Sequence, residues 1–211
     1  MTDAKQPRAY RSDTRQARAR ATRERITTSA RRLFRQDGYA ATSIEAIARA
    51  AGVATPTVYA AFRSKRGILL ALLGLIEQDA YVSAMSAEIA EAAGDPDVQL
   101  GLLTAFHRRL FERGADLFQI VRDAGSAETD IAELWTEGEG RRRAGEAAIV
   151  HGWAEGGVLR PGLSEGEALD VLWSMTGPDF YRLLVWDCGW SPARYESWLV
   201  AAVGELLLRP A

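Results

Sequence analysis

Apolar side chains recur along this chain at helical spacing. From Thr22 they fall at Ile26, Ala30, Leu33 and Phe34, one face of a helix that Gly38 stops. Thr42 and Glu45 have the spacing of a capping box, which predicts a short second helix with Ile44, Ile47 and Ala48 turned inward and an end at Ala51-Gly52. Thr55 as cap and Pro56 as first helical residue open a third helix to about Ala61. Phe62 closes it, Ser64 caps a fourth, and that one runs through Ile68, Leu69, Leu72, Leu73, Ile76 and Ala80 toward Ala93. Asp95 and Pro96 start a fifth, bearing Leu103, Phe106, Leu110 and Phe111, which Gly114 is expected to break before a segment around residues 116–124.

Beyond that, the pattern predicts a helix over about 130–155 and a turn at Pro161-Gly162. A second capping box, Ser164 with Glu167, opens a helix through Leu169, Leu172 and Trp173 that Gly177-Pro178 breaks. An apolar helix from Phe180 to Trp186 follows, then a last one capped by Ser191 with Pro192 behind it. No stretch alternates with period two. The fold class is therefore all-α, about nine or ten helices without internal repeat: an N-terminal three-helix helix-turn-helix domain, a long helix 4, and a C-terminal helical domain.

A net charge of -2 over 211 residues hides a segregation. Residues 1–66 carry 15 Lys and Arg against 5 Asp and Glu, whereas the rest carries 11 against 23. A basic first third is the electrostatic footprint of a nucleic-acid partner. Residues 1–21, with Lys5, Arg8, Arg11, Arg15, Arg18 and Arg20 and almost no large apolar group, read as a basic flexible arm. Residues 22–66 read as the DNA-binding domain, with the helix-turn-helix at about 43–62, and 67–211 as the remainder.

A helix-turn-helix needs a tight turn, here Ala51-Gly52-Val53, and a second helix with small or polar outward side chains. In the third helix Val58 and Phe62 face inward, which leaves Thr55, Pro56, Thr57 and Ala60 to meet base edges in a major groove. Thr42, Ser43, Tyr59 and Lys65 are placed to hold phosphates.

The stretch from Arg25 to Leu73 reads R-x-I, then A-x-x-L-F-x-x-x-G-Y-x-x-T, I-x-x-I-A-x-x-A-G-V, P-T-V-Y, and F-x-S-K-x-x-I-L. In this register it resembles the TetR family of bacterial transcriptional regulators, with Ile26, Ala30, Leu33, Phe34, Gly38, Tyr39, Thr42, Ile47, Ala48, Gly52, Val53, Tyr59, Phe62 and Lys65 in the family's places. Members often carry Ser or Gly at the positions of Ala54 and Pro56, so base preference does not carry over. The resemblance implies a homodimer on palindromic double-stranded DNA and a C-terminal ligand-binding and dimerisation domain, with an unidentified small-molecule effector releasing a repressor from its operator. An activator or ligand-independent regulator is the alternative. A small-molecule-binding protein without DNA activity is a distant one, which the basic first third disfavours.

For that implied pocket, Phe106, His107, Phe111, Phe118, Trp135, Trp173 and Tyr181 suggest an apolar or aromatic compound. The last helix carries Tyr195, Trp198, Leu199, Ala202, Val203 and Leu206 in a broad apolar stripe, the expected dimer interface together with the Leu169 to Trp186 region. Arg141, Arg142 and Arg143 point three ways around a helix and read as solvated surface. The chain shows no nucleophile elbow, no phosphate-cradling glycine loop and no metal-ligand cluster, so neither an enzyme nor a cofactor or metal site is expected. Cys188, the single cysteine, reads as a semi-buried residue without a disulfide partner. With no apolar stretch long enough to span a bilayer, a cytoplasmic protein without membrane association is expected.

Overall fold

A computed structural model describes residues 8–79 and 82–209. The described residues form α1 (Arg8–Asp37), α2 (Ile44–Ala51), α3 (Thr55–Phe62), α4 (Lys65–Asp79), α5 (Val82–Glu91), α6 (Pro96–Gly125), α7 (Thr129–Glu155), α8 (Glu165–Met175), α9 (Pro178–Tyr181) and α10 (Pro192–Leu207). α9 continues into a π-helical turn, Arg182–Asp187. Among these residues the only β feature is an isolated bridge between Leu159 and Leu208. The chain divides into two compact units, Met1–Leu72 and Leu73–Ala211, and the boundary falls inside α4.

The N-terminal unit buries Ile26, Ala30, Phe34, Ile47, Val58, Phe62 and Ile68, the apolar face that the sequence pattern marks out. α1 begins much earlier than Thr22. Residues 8–21, expected as a flexible arm, continue it as helix with Thr14–Arg20 exposed, while residues 1–7 of that arm lie outside the described residues. No chain breaker interrupts the run from Arg8 to Asp37, so the helix propagates past its last buried turn.

The caps of the two reading helices also differ from expectation. Ser43, not Thr42, caps α2 by accepting from the Ala46 N–H. Ala54 occupies the cap position of α3 without a side-chain bond, which makes Thr55 and Pro56 its first two helical residues. Gly52 closes α2 at φ 63°, the left-handed conformation a tight turn needs.

Gly67 escapes a reading based on turns. It lies inside the first turn of α4, where a Cβ would stand 2.0 Å from the Phe62 carbonyl oxygen. The end of α3 and the start of α4 approach through the space where its side chain would be. Gly67→Ala is expected to destabilise the N-terminal unit by about 1–3 kcal/mol, the usual cost of overpacking. A denaturation midpoint equal to that of the parent protein would show that the backbone can yield there.

In the C-terminal unit α6 runs unbroken through Gly114, contrary to the expected break. A Cβ there would come 2.8 Å from Ile76 Cδ1, so the glycine admits that side chain rather than ending the helix. α4 and α5 occupy the span expected as one helix, and Ala80, which that expectation included, lies outside the described residues. The core gathers Leu100, Leu103, Phe111, Val150, Trp153, Leu172, Tyr181, Tyr195, Leu199 and Val203. A buried relay ties three helices together: the Trp153 indole N–H donates to Gln99 Oε1 at 2.7 Å, and Gln99 Nε2 donates to the Ile89 carbonyl at 3.1 Å.

This core overturns part of the expected interface on α10. Tyr195, Leu199 and Val203 are fully buried within the protomer, a four-residue period facing inward, and are not available to a second copy. Trp198 and Ala202 are half-buried, and Leu206 is 46% exposed. Leu183 and Trp186 on the π-helical turn are also exposed, as is Cys188, against the expectation of a semi-buried residue.

Candidate functional site

The first candidate is the outer face of α3. Pro56, Thr57 and Ala60 are exposed, Tyr59 is 48% exposed beside them, and Thr55 is half-buried at the start of the helix. Val58 and Phe62 anchor the opposite face. The helix is held by α1: Arg23 donates to the Ala61 carbonyl with its guanidinium over the Phe62 ring, and Arg25 donates to the Gly52 carbonyl at 3.1 Å. Cations at the carbonyl ends of α3 and α2 oppose the negative pole of each helix dipole. Neither arginine was singled out from sequence, because a contact about thirty residues away leaves no local periodicity.

Two of the expected phosphate contacts are turned inward. Thr42 is buried, and its hydroxyl donates to the Gly38 carbonyl at 2.8 Å. Its side chain closes the α1–α2 loop instead of reaching out. Lys65 donates to the Tyr39 carbonyl at 2.8 Å with its ammonium 4.2 Å from the centre of the Tyr39 ring, and in this conformation it clamps the same loop. A compact ammonium loses hydration there but regains carbonyl oxygens and an aromatic face. Ser43 and Tyr59 remain exposed at the ends of the motif.

The second candidate is a cavity of about 680 Å³ within the C-terminal unit. α4 from Leu73 onward, α5, α6, α7 and Pro178 line it. Of the expected pocket residues, Phe106, His107, Phe111, Phe118 and Trp135 are on its wall. Trp173 and Tyr181 are not. Trp173 lies beneath the guanidiniums of Arg142 and Arg143, at 5.0 and 5.1 Å from its ring centre, and Tyr181 is locked in the core against Phe111 and Tyr195.

The polar end of the cavity is a buried cluster. Arg142, expected at the surface, reaches Glu139 at 2.6 Å, Glu146 at 3.1 Å, the Trp173 carbonyl at 2.8 Å and Thr176 Oγ1 at 3.0 Å. Its two neighbours do point outward, to Glu77 and Asp170. Burial pushes the Glu146 carboxyl above the usual range, and Arg142 and Thr176 pull it back. His107 Nδ1 lies 3.0 Å from the Leu103 carbonyl oxygen, which can only accept, so Nδ1 carries the hydrogen. Burial, with Arg142 acting in the same sense, pushes the imidazole down to about 3. His107 is therefore neutral, and its Nε2 is a bare acceptor 3.5 Å from Glu146 Oε1. Glu146 was missed because a lone acid in a charge-rich helix carries no sequence signature.

Among the described residues no group of His, Cys, Asp and Glu is arranged to hold a metal ion, and no helix is long and apolar enough to cross a membrane.

A tight glycine turn between two short helices, with the outer face of the second left bare in a basic unit, defines the helix-turn-helix class of DNA-binding proteins. Residues 26–72 match the family model described as bacterial regulatory proteins, tetR family. A search of curated proteins finds no match. The fold is similar to the structure of the SmeT–triclosan complex, at 21% identity over 90% of this chain and 93% of that one, TM-score 0.69. It is similar to NalD, the secondary repressor of the MexAB-OprM multidrug efflux pump in Pseudomonas aeruginosa, at 22% identity over 90% and 97%, TM-score 0.69. A transcriptional regulator from Saccharomonospora viridis in complex with choline aligns at 21% identity over 89% and 98%, TM-score 0.67. Residues 26–72 thus match the DNA-binding domain of tetR-family regulators, and the chain has the fold of TetR-type regulators, a fold that supports DNA-binding transcriptional regulation.

Proposed function

We propose that this protein is a homodimeric repressor that binds a palindromic operator through two copies of α3 and leaves it when a small, largely apolar compound fills the C-terminal cavity. The observation that carries this reading is the pairing, in one chain, of a bare helix-turn-helix face with a 680 Å³ cavity walled by Phe106, Phe111, Phe118 and Trp135. Pro56, Thr57 and Ala60 read bases, and Ser43 and Tyr59 hold phosphates. α4, whose residues belong to both units, is the element through which occupancy would alter DNA affinity, and a coupling of about 1–3 kcal/mol is ordinary for such a switch. Half-sites roughly 34–36 Å apart suit the twofold arrangement. Exposed Leu183, Trp186 and Leu206 are the apolar groups offered to a second copy. The neighbours bound to triclosan and to choline, and the repressor NalD, support the same reading.

Selection from random duplexes with the full-length protein, followed by gel shift on the winning sequence, tests it. Ala60→Glu sets a carboxylate against the DNA backbone charge and is expected to lower affinity about a hundredfold. An unchanged affinity would remove α3 from the interface, and sedimentation as a monomer at micromolar concentration would remove the dimer.

A further inference from the structure

The polar end of the cavity points to more than an apolar ligand. His107 and Glu146 are 1% and 2% exposed, and both line the cavity. His107 Nε2 and Glu146 Oε2 have no hydrogen-bond partner among the described residues. Nε2 is a neutral lone pair, Oε2 is a carboxylate oxygen, and a buried acceptor without a donor carries the uncompensated cost of its lost hydration. Two such atoms on neighbouring side chains are most economically satisfied by one group with several hydrogens. Two polar groups close by are already engaged: Gln99 bonds Trp153 and Ile89, and Thr176 lies 2.8 Å from both Glu146 Oε1 and the Leu172 carbonyl.

Charge selects among donors. The lining carries three carboxylates, Glu77, Glu139 and Glu146, against two guanidiniums, Arg141 and Arg142, with His107 neutral. With all five ionised the wall is short of one positive charge. A hydroxyl would supply one hydrogen and no charge, and a quaternary ammonium a charge and no hydrogen.

Resting on the effector reading above, we infer that the cavity takes a cation with at least two N–H donors on an apolar, ring-bearing body, namely a protonated primary amine or an amidinium. Its nitrogen sits against Glu146 and His107, and its body lies among Phe106, Phe111, Phe118 and Trp135. In the present conformation Nε2 and Oε2 are covered by neighbouring atoms. A turn of the Glu146 carboxylate about its terminal torsion, which is broad for this residue type, presents Oε2 to the cavity.

The test is calorimetric titration of the full-length protein with 4-phenylbutylamine, 4-phenylbutanol and 4-phenylbutyltrimethylammonium, which share one apolar body. The amine is expected to bind about ten- to a hundredfold more tightly than the alcohol, and more tightly than the trimethylammonium compound. Glu146→Gln is expected to erase the preference for amine over alcohol. Alcohol binding as tight as the amine's in the unaltered protein, which needs no variant, overturns the inference, and so does a preference that survives in Glu146→Gln. Gel shift in parallel separates the two readings. If the amine is preferred but the DNA stays bound, release by ligand fails and this site stands. If the alcohol alone binds and frees the DNA, this site fails and release stands.

Discussion

Replacing Arg142 with alanine is expected to destabilise the C-terminal unit by about 3–5 kcal/mol, a large part of the total stability of an ordinary domain. Its guanidinium is mostly buried, the carboxylate it faces at 3.1 Å is 2% exposed, and it is also the donor to the Trp173 carbonyl. Its loss leaves Glu146 buried without a counter-charge and that carbonyl without this partner. The cost arises from what is left behind. Arg142→Met combined with Glu146→Leu, which removes both charges and keeps the bulk, should therefore cost less than Arg142→Ala alone. All six tryptophans lie in the C-terminal unit, so their fluorescence during denaturation reports on it selectively. A loss under about 1 kcal/mol for Arg142→Ala would mean that Glu146 simply takes up a proton at little cost.

Acid should act on the same cluster through His107. Its folded pKa of about 3 lies below the ordinary 6.5, so between those values the unfolded chain binds a proton that the folded one refuses. Stability is then full above about pH 6.5 and falls as the pH drops. The histidine alone accounts for a loss of about 2 kcal/mol between pH 7 and pH 5, and about 5 once the pH is below 3. Glu146 works in the opposite direction. Its folded pKa is raised, so the folded state holds a proton that the unfolded carboxylate has released, and its contribution grows as the pH falls toward 4.5. Denaturation at pH 7 and pH 5 should show a smaller acid loss in His107→Leu and a larger one in Glu146→Gln. Equal acid losses in the parent and in His107→Leu would place the sensitivity elsewhere.

The features legible in the sequence were those that depend on residues close together in the chain. The inward faces of α1 to α3, the Gly52 turn and the Ser164–Glu167 capping box are local, and each is where the spacing puts it. The misplaced features depend on which partner a side chain finds, four residues back for Thr42 and thirty-one residues on for Arg142. A capping threonine became a loop closure because Gly38 offered its carbonyl. A surface arginine became a buried anchor because the end of α8 passes beside it. Five of the seven aromatic and histidine positions expected at the cavity do line it: helical spacing brings Phe106, His107, Phe111 and Phe118 together on α6, and Trp135 comes from α7. Trp173 and Tyr181 do not, because spacing cannot tell a wall from the core behind it.

The parts that hold the helix-turn-helix in place, Arg23, Arg25, Lys65 and Gly67, do not coincide with the residues on the outer face of α3, Pro56, Thr57 and Ala60. Support and reading surface are separate sets of side chains. Mutation can therefore explore new outer faces on α3 without disturbing the frame, and a lineage built on this scaffold is free to drift from one recognition sequence to another while the head keeps its shape.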